Sequence, residues 1–167
     1  WMGLVGQNLV ARLIAKGYTN VIVIDKHRPN LAVLQQVQPE VQAIYADLAE
    51  PGEWQNHFKG ADTVVMLQAQ IGGNVYQEFI KNNVTSTKLI LETIKLYEVE
   101  CLVHISSSVV ESAADDFYTR TKIEQENIVI ESGIVCPILR PTLMFGWFDR
   151  KHLGWLSRFM KKVPVFP

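Results

Sequence analysis

The chain has 167 residues, of which 48% are hydrophobic and 20% are charged, and its formal net charge is −1. This balance is typical of a globular domain with one well-formed core, and it gives no electrostatic reason to expect nucleic acid or an anionic membrane as a partner. No apolar run approaches the ~20 residues of a membrane-spanning helix, and no charged-then-apolar leader opens the sequence. We therefore expect a cytoplasmic protein.

Helical segments alternate with short apolar segments along most of the chain. In order, the helical segments are residues 7–16, 31–38, 54–59, 75–97 and 116–131, and the strand-like segments are residues 21–24, 41–45, 61–67, 101–105 and 136–139. Residues 28–30 are turn-like. Alternation of this kind predicts an α/β fold with a parallel sheet and helices on both faces.

The last stretch, residues 147–162, departs from this alternation. We predict an amphipathic helix that packs on its own protein, with a membrane-surface helix as the alternative. Its apolar stripe consists of Trp155, Leu156, Phe159 and Met160, and its basic face of Arg158, Lys161 and Lys162.

The cysteines and histidines show no pattern of a disulfide or a metal site. Cys101 and Cys136 each stand at the start of an apolar segment, and we expect buried thiols in a reducing compartment. The four histidines are spread along the chain without metal-ligand spacing, so we predict no metal. His104 lies within a strand-like segment, and we expect a core or cleft residue with satisfied hydrogen bonds.

Tyr118 and Lys122 lie four residues apart in a helical segment, after three consecutive serines, Ser106, Ser107 and Ser108. Residues i and i+4 share one helix face, so the phenol and the amine would point side by side into the same cleft. A free phenol is a poor base at neutral pH, but a fixed cation nearby favours the phenolate. The pair therefore predicts a proton-transfer group, unless both side chains are simply exposed on a helix face.

Gly3 and Gly6 open the first helix, and Asp25 follows Gly6 by 19 residues at the end of a strand. In a dinucleotide-binding βαβ unit, glycines admit the pyrophosphate to the helix N-terminus, and an acid about 20 residues on accepts hydrogen bonds from the ribose. The carboxylate of Asp25 would repel a 2′-phosphate, which favours NAD over NADP. Lys26 and the basic residues after it keep NADP as the alternative.

Together with other motifs, these residues resemble the extended short-chain dehydrogenase/reductases, the NAD-dependent epimerase/dehydratase group that acts largely on nucleotide sugars. The motifs follow the family's order from residue 3 to residue 146. They are Gly3-x-x-Gly6, Asp25, Asp47-Leu48, Leu67-Gln68-Ala69, Asn83-Val84-Thr85-Ser86-Thr87, Ile105-Ser106-Ser107-Ser108, Tyr118-x-x-x-Lys122, and Leu139-Arg140-Pro141-Thr142 with Phe145-Gly146.

The resemblance implies a Rossmann-like, doubly wound NAD-binding domain over residues 1–146 and the start of a substrate-binding lobe over residues 147–167. Asp47 would contact the adenine amino group, although the local sequence fits a solvated turn aspartate equally well. The resemblance also implies a homodimer, because the family's interface is often flanked by the helices of residues 75–97 and of Tyr118. The implied cofactor-binding residues are Gly3, Gly6, Asp25, Lys26, Asp47, Leu48, Leu67, Gln68, Ala69, Asn83, Ser106, Tyr118, Lys122 and Pro141.

The implied chemistry is acid/base catalysis by Tyr118 on a substrate hydroxyl, while a hydride passes to or from the nicotinamide. Lys122 would favour the phenolate and bond the nicotinamide ribose, and a serine would hold the substrate oxygen. Counting from the first serine favours Ser107, and counting from the third favours Ser108. No carboxylate follows the serines before Glu111, which argues against 4,6-dehydration and for epimerisation or simple oxidation and reduction.

Two parts of the family pattern have no match here, namely the strand with the first glycine of the turn and most of the substrate lobe. In the family that strand lies at the centre of the sheet, so its neighbours would be left unpaired, and we expect the sequence to be part of a longer chain. The leading hypothesis is an NAD-dependent oxidoreductase or epimerase of sugar nucleotides. The alternatives are a non-catalytic NAD(P)-binding subunit or regulator and a steroid- or flavonoid-type reductase.

Overall fold

A computed structural model describes residues 3–146 and 152–162. Two 3-10 helices, Glu53–Phe58 and Ser108–Glu111, and one π-helix, Ile80–Thr85, accompany its helices and strands. These are α1 (Leu4–Ala15), β1 (Ile22–Asp25), α2 (Arg28–Val37), β2 (Gln42–Tyr45), β3 (Thr63–Met66), α3 (Tyr76–Phe79), α4 (Ser86–Leu96), β4 (Cys101–Ile105), α5 (Phe117–Glu131), β5 (Ile138–Leu139) and α6 (His152–Lys162).

Every strand pairing is parallel, which confirms the predicted α/β class. β1 pairs with β2, and β4 pairs with β3 on one side and β5 on the other. The strands thus form two hydrogen-bonded groups instead of one continuous sheet, because no strand within residues 3–146 lies between β1 and β3. The unpaired edges of β1 and β3 agree with the sequence expectation.

Two apolar clusters hold the helices on the strands. Ile24 of β1, with Ala46 and Leu48 after β2, packs against the larger cluster and so joins the two groups of strands. The larger cluster contains Trp54, Phe58, Met66, Ile90, Leu91, Ile94, Val99, Leu102 and Val129. The smaller one contains Val10, Val23, Leu31, Leu34 and Val41.

The first two helices begin three residues earlier than predicted. α1 begins at Leu4 with Gly3 as its N-cap, so Gly6 lies inside the first turn and is buried. Residues 28–30, predicted as a turn, form the first turn of α2. Pro29 does not oppose this start, since the first turn of a helix leaves its N–H groups unpaired in any case.

The predicted helix over residues 75–97 is continuous but irregular. α3 runs into the π-helix, which runs into α4. Two hydroxyls bond backbone carbonyls at the junction, Ser86 Oγ to Asn82 O at 2.6 Å and Thr87 Oγ1 to Asn83 O at 2.6 Å. Apolar periodicity predicted the helix but could not predict the wider turn.

The carboxyl-terminal elements differ from their predictions in extent and burial. Asp116 caps α5 by accepting from the Thr119 N–H at 2.8 Å, whereas β5 has two residues instead of the predicted four. The predicted terminal helix is present from residue 152, and its residues 147–151 lie outside the described part. The packing predicted for its apolar stripe is not observed, because Trp155, Phe159 and Met160 are exposed.

The thiols are less buried than predicted. Cys101 and Cys136 are unbridged and half-buried, and burial raises the pKa of Cys136. Of the helices in the described residues, none has the length and apolar character needed to cross a membrane.

Candidate functional site

Residues at or just after the carboxyl ends of β1, β2 and β3 line one small cavity, as expected where parallel strands end at a common edge. Five residues predicted to bind a cofactor meet here, together with three that were not predicted to bind it. The predicted residues are Asp25, Lys26, Asp47, Leu48 and Gln68, and the others are Ala46, Asn82 and Ser86. Gly3, Gly6, Leu67, Ala69 and Asn83 are not part of the lining.

The cavity contains one buried and one partly exposed carboxylate. Asp25 is 4% exposed and accepts a hydrogen bond from the His27 N–H at 2.9 Å. Asp47 lies 3.4 Å from Lys26 Nζ and 3.2 Å from Lys81 Nζ. Burial alone would raise the pKa of Asp47, but a backbone hydrogen bond from Ala49 and the two lysines lower it overall. Asp47 is therefore a paired anion at the mouth of the cavity.

Lys122 lies deeper than its helical neighbour Tyr118. Its side chain is 1% exposed, and Nζ donates to the Ile105 carbonyl at 3.2 Å and to Gln125 Oε1 at 2.5 Å. Burial lowers the pKa of Lys122 to about 8, although Glu126 opposes the shift. Tyr118 is half-buried on the same helix. The amine therefore lies beneath the surface at the end of β4, one helical turn after the half-buried phenol. That both groups face one cleft stays a prediction.

The three serines are held in different ways. Ser106 is buried, whereas Ser107 and Ser108 are half-buried at the start of the 3-10 helix that follows β4. Ser107 Oγ accepts from the Val109 N–H at 3.4 Å, and the Ser108 N–H donates to the Pro141 carbonyl at 3.0 Å. The predicted Pro141 therefore lies beside the serine turn.

Asn83 anchors the π-helix to the loop after β3 and to α5. It is fully buried, and its Oδ1 accepts from the Gln70 N–H at 2.5 Å. Its Nδ2 donates to the Gln70 carbonyl at 3.2 Å and to Thr121 Oγ1 at 2.9 Å. Asn83 thus fixes the surroundings of Lys122 rather than lining the cavity.

A second buried amide, Gln125, was not predicted. Its Nε2 donates to Thr87 Oγ1 at 2.9 Å and to the Gln68 carbonyl at 3.4 Å, while its Oε1 accepts from Lys122. Gln68 also donates to Thr87 Oγ1 at 3.1 Å. Because Gln68 lines the cavity, these bonds connect the cavity to Lys122. The available sequence signal was the spacing, since Gln125 follows Lys122 by three residues and so shares its helix face.

An ion-pair group near Lys122 was also not predicted. Arg140 Nε lies 3.2 Å from both carboxylate oxygens of buried Glu126, and Arg140 Nη1 lies 2.6 Å from Glu111. The hydrogen bonds from Arg140 lower the pKa of Glu126, against the effect of burial. Arg140 had been noted only as part of a motif.

His104 is buried as predicted, but its hydrogen bonds are not satisfied. Neither ring nitrogen has a partner among the described residues, and the Ser106 hydroxyl beside Glu126 also lacks a well-formed hydrogen bond. Burial, with a smaller effect of Lys122, lowers the pKa of His104 to about 3, although Glu126 opposes this. His104 is therefore neutral at physiological pH. Among the residues described, no cluster of three or more possible ligands is arranged to hold a metal.

The neutral His104 predicts acid sensitivity. The folded protein binds fewer protons than the unfolded chain between pH 6.5 and about 3, so stability falls as the pH falls through this range. When the pH is lowered from 6.5 to 5, the free energy of unfolding should decrease in both proteins. The decrease should be about 2 kcal/mol smaller in His104→Leu than in the wild type. Urea unfolding followed by tryptophan fluorescence measures the difference.

Leu102→Val, on the same face of β4, is the control and should keep the wild-type pH dependence because it removes no titrating group. Equal losses in wild type and His104→Leu would contradict the prediction.

Comparison with solved structures shows the same fold in enzymes of nucleotide sugars. A UDP-glucuronic acid 4-epimerase from Bacillus cereus in complex with NAD superposes with a TM-score of 0.83 at 22% identity, over 96% of this chain and 61% of that one. The dTDP-glucose 4,6-dehydratase DesIV from Streptomyces venezuelae, with NAD and TYD bound, has a TM-score of 0.79 at 19% identity, over 96% of this chain and 60% of that one. This chain thus spans about three fifths of the length of either protein.

No curated protein matches the chain. The model of the NAD dependent epimerase/dehydratase family matches residues 2–163, which confirms the resemblance drawn from the motifs. The chain belongs to the NAD dependent epimerase/dehydratase family.

Proposed function

We propose that the protein is an NAD-dependent oxidoreductase or epimerase that acts on a sugar nucleotide. The observation that carries the proposal is the placement of Lys122, whose amine is fixed at the carboxyl end of β4 one helical turn after Tyr118. The family match and the cavity at the ends of β1 to β3 support the same function. The enzymes that share the fold hold NAD.

The residues of the cavity suit the adenosine half of NAD. Asp25 presents a buried carboxylate for the ribose hydroxyls, and Asp47 with Leu48 would border the adenine. Gly3 and Gly6 lie at the N-terminus of α1, where backbone N–H groups favour a pyrophosphate. Bound NAD would supply the hydride acceptor and donor.

In the proposed reaction, Tyr118 takes the proton of a sugar hydroxyl at its phenolic oxygen and later returns it. Lys122 would supply the fixed positive charge that favours the phenolate, and with NAD bound it would help to hold the nicotinamide ribose. One of the hydroxyls of Ser107 and Ser108 holds the reacting oxygen in line with the phenol.

Epimerisation or simple oxidation and reduction is favoured over dehydration. Elimination of water needs a free carboxylate next to the reacting sugar, and the first carboxylate after the serines is Glu111. Glu111 is paired with Arg140, which also holds Glu126. UDP-glucuronic acid and dTDP-glucose, the nucleotide sugars of the similar enzymes, are the first substrates to test.

The remaining parts of the proposal concern the whole protein. We place the NAD site in residues 1–146 and the beginning of the substrate lobe in residues 147–167. A homodimer is supported by exposed apolar side chains on α5, namely Ile123 and Ile130. Two unbridged cysteines support a reducing, cytoplasmic environment.

Replacement of Tyr118 with Phe removes the phenolic oxygen and keeps the ring. Turnover of UDP-glucuronic acid should fall about 10²–10⁴-fold, because that is the usual contribution of a positioned acid/base group. The affinity for NAD should be unchanged. Product formation followed by NMR and NAD binding followed by calorimetry measure the two effects.

Tyr97→Phe is the matched control, since it also removes a tyrosine hydroxyl. The Tyr97 hydroxyl donates to Asn56 Oδ1 at 3.1 Å, and neither residue lines the cavity. A wild-type protein that binds NAD but converts no sugar nucleotide would identify a non-catalytic subunit instead.

Asp25 should determine the preference between the two cofactors. In the wild type, NAD should bind at least about tenfold more tightly than NADP, because the carboxylate accepts from the ribose and repels a phosphate. Asp25→Asn should weaken NAD binding about tenfold and so reduce the difference between the affinities for NAD and NADP. Calorimetric titration with each cofactor measures both affinities.

Asp62→Asn, an exposed position at the opposite end of β3, serves as the control for charge alone. Tighter binding of NADP than NAD by the wild type would mean that Lys26 and its neighbours dominate over Asp25.

A further inference from the structure

Gln125 uses both ends of its amide in the interior of the protein. Its side chain is fully buried on α5, with Lys122 Nζ 2.5 Å from Oε1 and Thr87 Oγ1 2.9 Å from Nε2. A buried amide that is bonded at both ends cannot turn without losing these bonds, and each buried group left without a partner costs about 1–3 kcal/mol. The side chain is therefore fixed.

The chemistry of the partners decides which end of the amide faces which group. An ammonium can only donate, so Oε1 must face Lys122. Thr87 Oγ1 donates its own hydrogen to the Asn83 carbonyl at 2.6 Å, so it can accept from Nε2. Hydrogen bonds therefore run in one direction, from Lys122 through Gln125 and Thr87 to the backbone of the π-helix.

We infer that Gln125 is the positioning residue for Lys122: it holds the amine at the end of β4 and ties it, through Gln68, to the cavity that Asp25 and Asp47 line. The inference rests on the proposed function, in which Lys122 supplies the fixed charge for Tyr118. Gln125 itself is not among the described residues that line the cavity, and it acts through Lys122.

The other groups around Lys122 leave this role to Gln125. Glu126 lies on the same helix, but Arg140 occupies its carboxylate. His104 on β4 is buried and neutral, and Tyr118 precedes Lys122 by one turn. Within the described part of the chain, the hydrogen-bond acceptors of Lys122 Nζ are thus the Ile105 carbonyl and Gln125, both uncharged. An uncharged acceptor holds the amine without competing with a phenolate for its positive charge.

Two substitutions of Gln125 test the inference in opposite directions. Gln125→Leu removes an acceptor from the charged amine, so the titration midpoint of Lys122 should fall by about one pH unit. Gln125→Glu keeps an acceptor and adds a negative charge, so the midpoint should rise by about one pH unit or more. Side-chain NMR on protein labelled with ¹³C-lysine, with Lys122 assigned by Lys122→Arg, measures the midpoint without cofactor or substrate.

A matched control exists further along α4. Gln55 Nε2 donates to Thr93 Oγ1 at 3.0 Å, and Thr93 Oγ1 donates to the Leu89 carbonyl at 2.7 Å, as in the Gln125–Thr87 pair. Gln55→Leu removes a similar bond with no amine attached, and it should leave the Lys122 midpoint unchanged. A midpoint that moves equally in Gln55→Leu and Gln125→Leu would overturn the inference.

The pH profile of turnover connects the amine to catalysis. The alkaline limb of kcat should move down in Gln125→Leu and up in Gln125→Glu, by as much as the Lys122 midpoint moves. If Gln125→Leu does not fold, Gln125→Glu decides alone, and a midpoint equal to that of the wild type overturns the role of Gln125. A wild-type protein without turnover would overturn the proposed function instead. The NMR titration of Lys122 separates this failure from a failure of the inference, because it needs neither cofactor nor substrate.

Discussion

The burial of the Lys122 amine is the constraint around which the site is arranged. An ammonium without partners in a protein interior costs several kcal/mol, so a 1% exposed lysine requires acceptors at fixed positions. The Ile105 carbonyl and Gln125 meet this requirement from β4 and from the same helix. Because both acceptors must stay in place, α5 is held against the end of β4 in one orientation.

The same requirement connects two regions that are far apart in sequence. Gln68 follows β3 and lines the cavity, and its carbonyl and side chain bond Gln125 and Thr87. Asn83 adds a second link, between the π-helix and Thr121. The helix that carries Tyr118 is therefore positioned relative to the cavity by side-chain hydrogen bonds as well as by apolar packing.

Sequence patterns predicted the strands and the motifs better than the contacts between them. The strands at residues 22–25 and 101–105 were predicted because an almost unbroken apolar run is typical of a parallel sheet.

Gln125 and Arg140 were not recognised as part of the site, because their partners lie in other elements and local sequence does not specify such pairs. For the same reason, nothing in the sequence indicated that the nitrogens of His104 would lack partners. The sequence predicts a turn at Pro29, but the first turn of a helix accepts a proline, and α2 therefore begins three residues before its predicted start.

The π-helix gives one helical segment two functions at once. Asn82 and Ser86 face the cavity, whereas their neighbours Asn83 and Thr87 bond α5 and the loop after β3. In a regular helix each residue turns by about 100°, so removing one residue from this segment would rotate everything after it by that angle. Either Asn82 and Ser86 would then no longer face the cavity, or Asn83 and Thr87 would lose their hydrogen bonds. Length changes in residues 80–85 should therefore be rare among related sequences, even where the residues themselves vary.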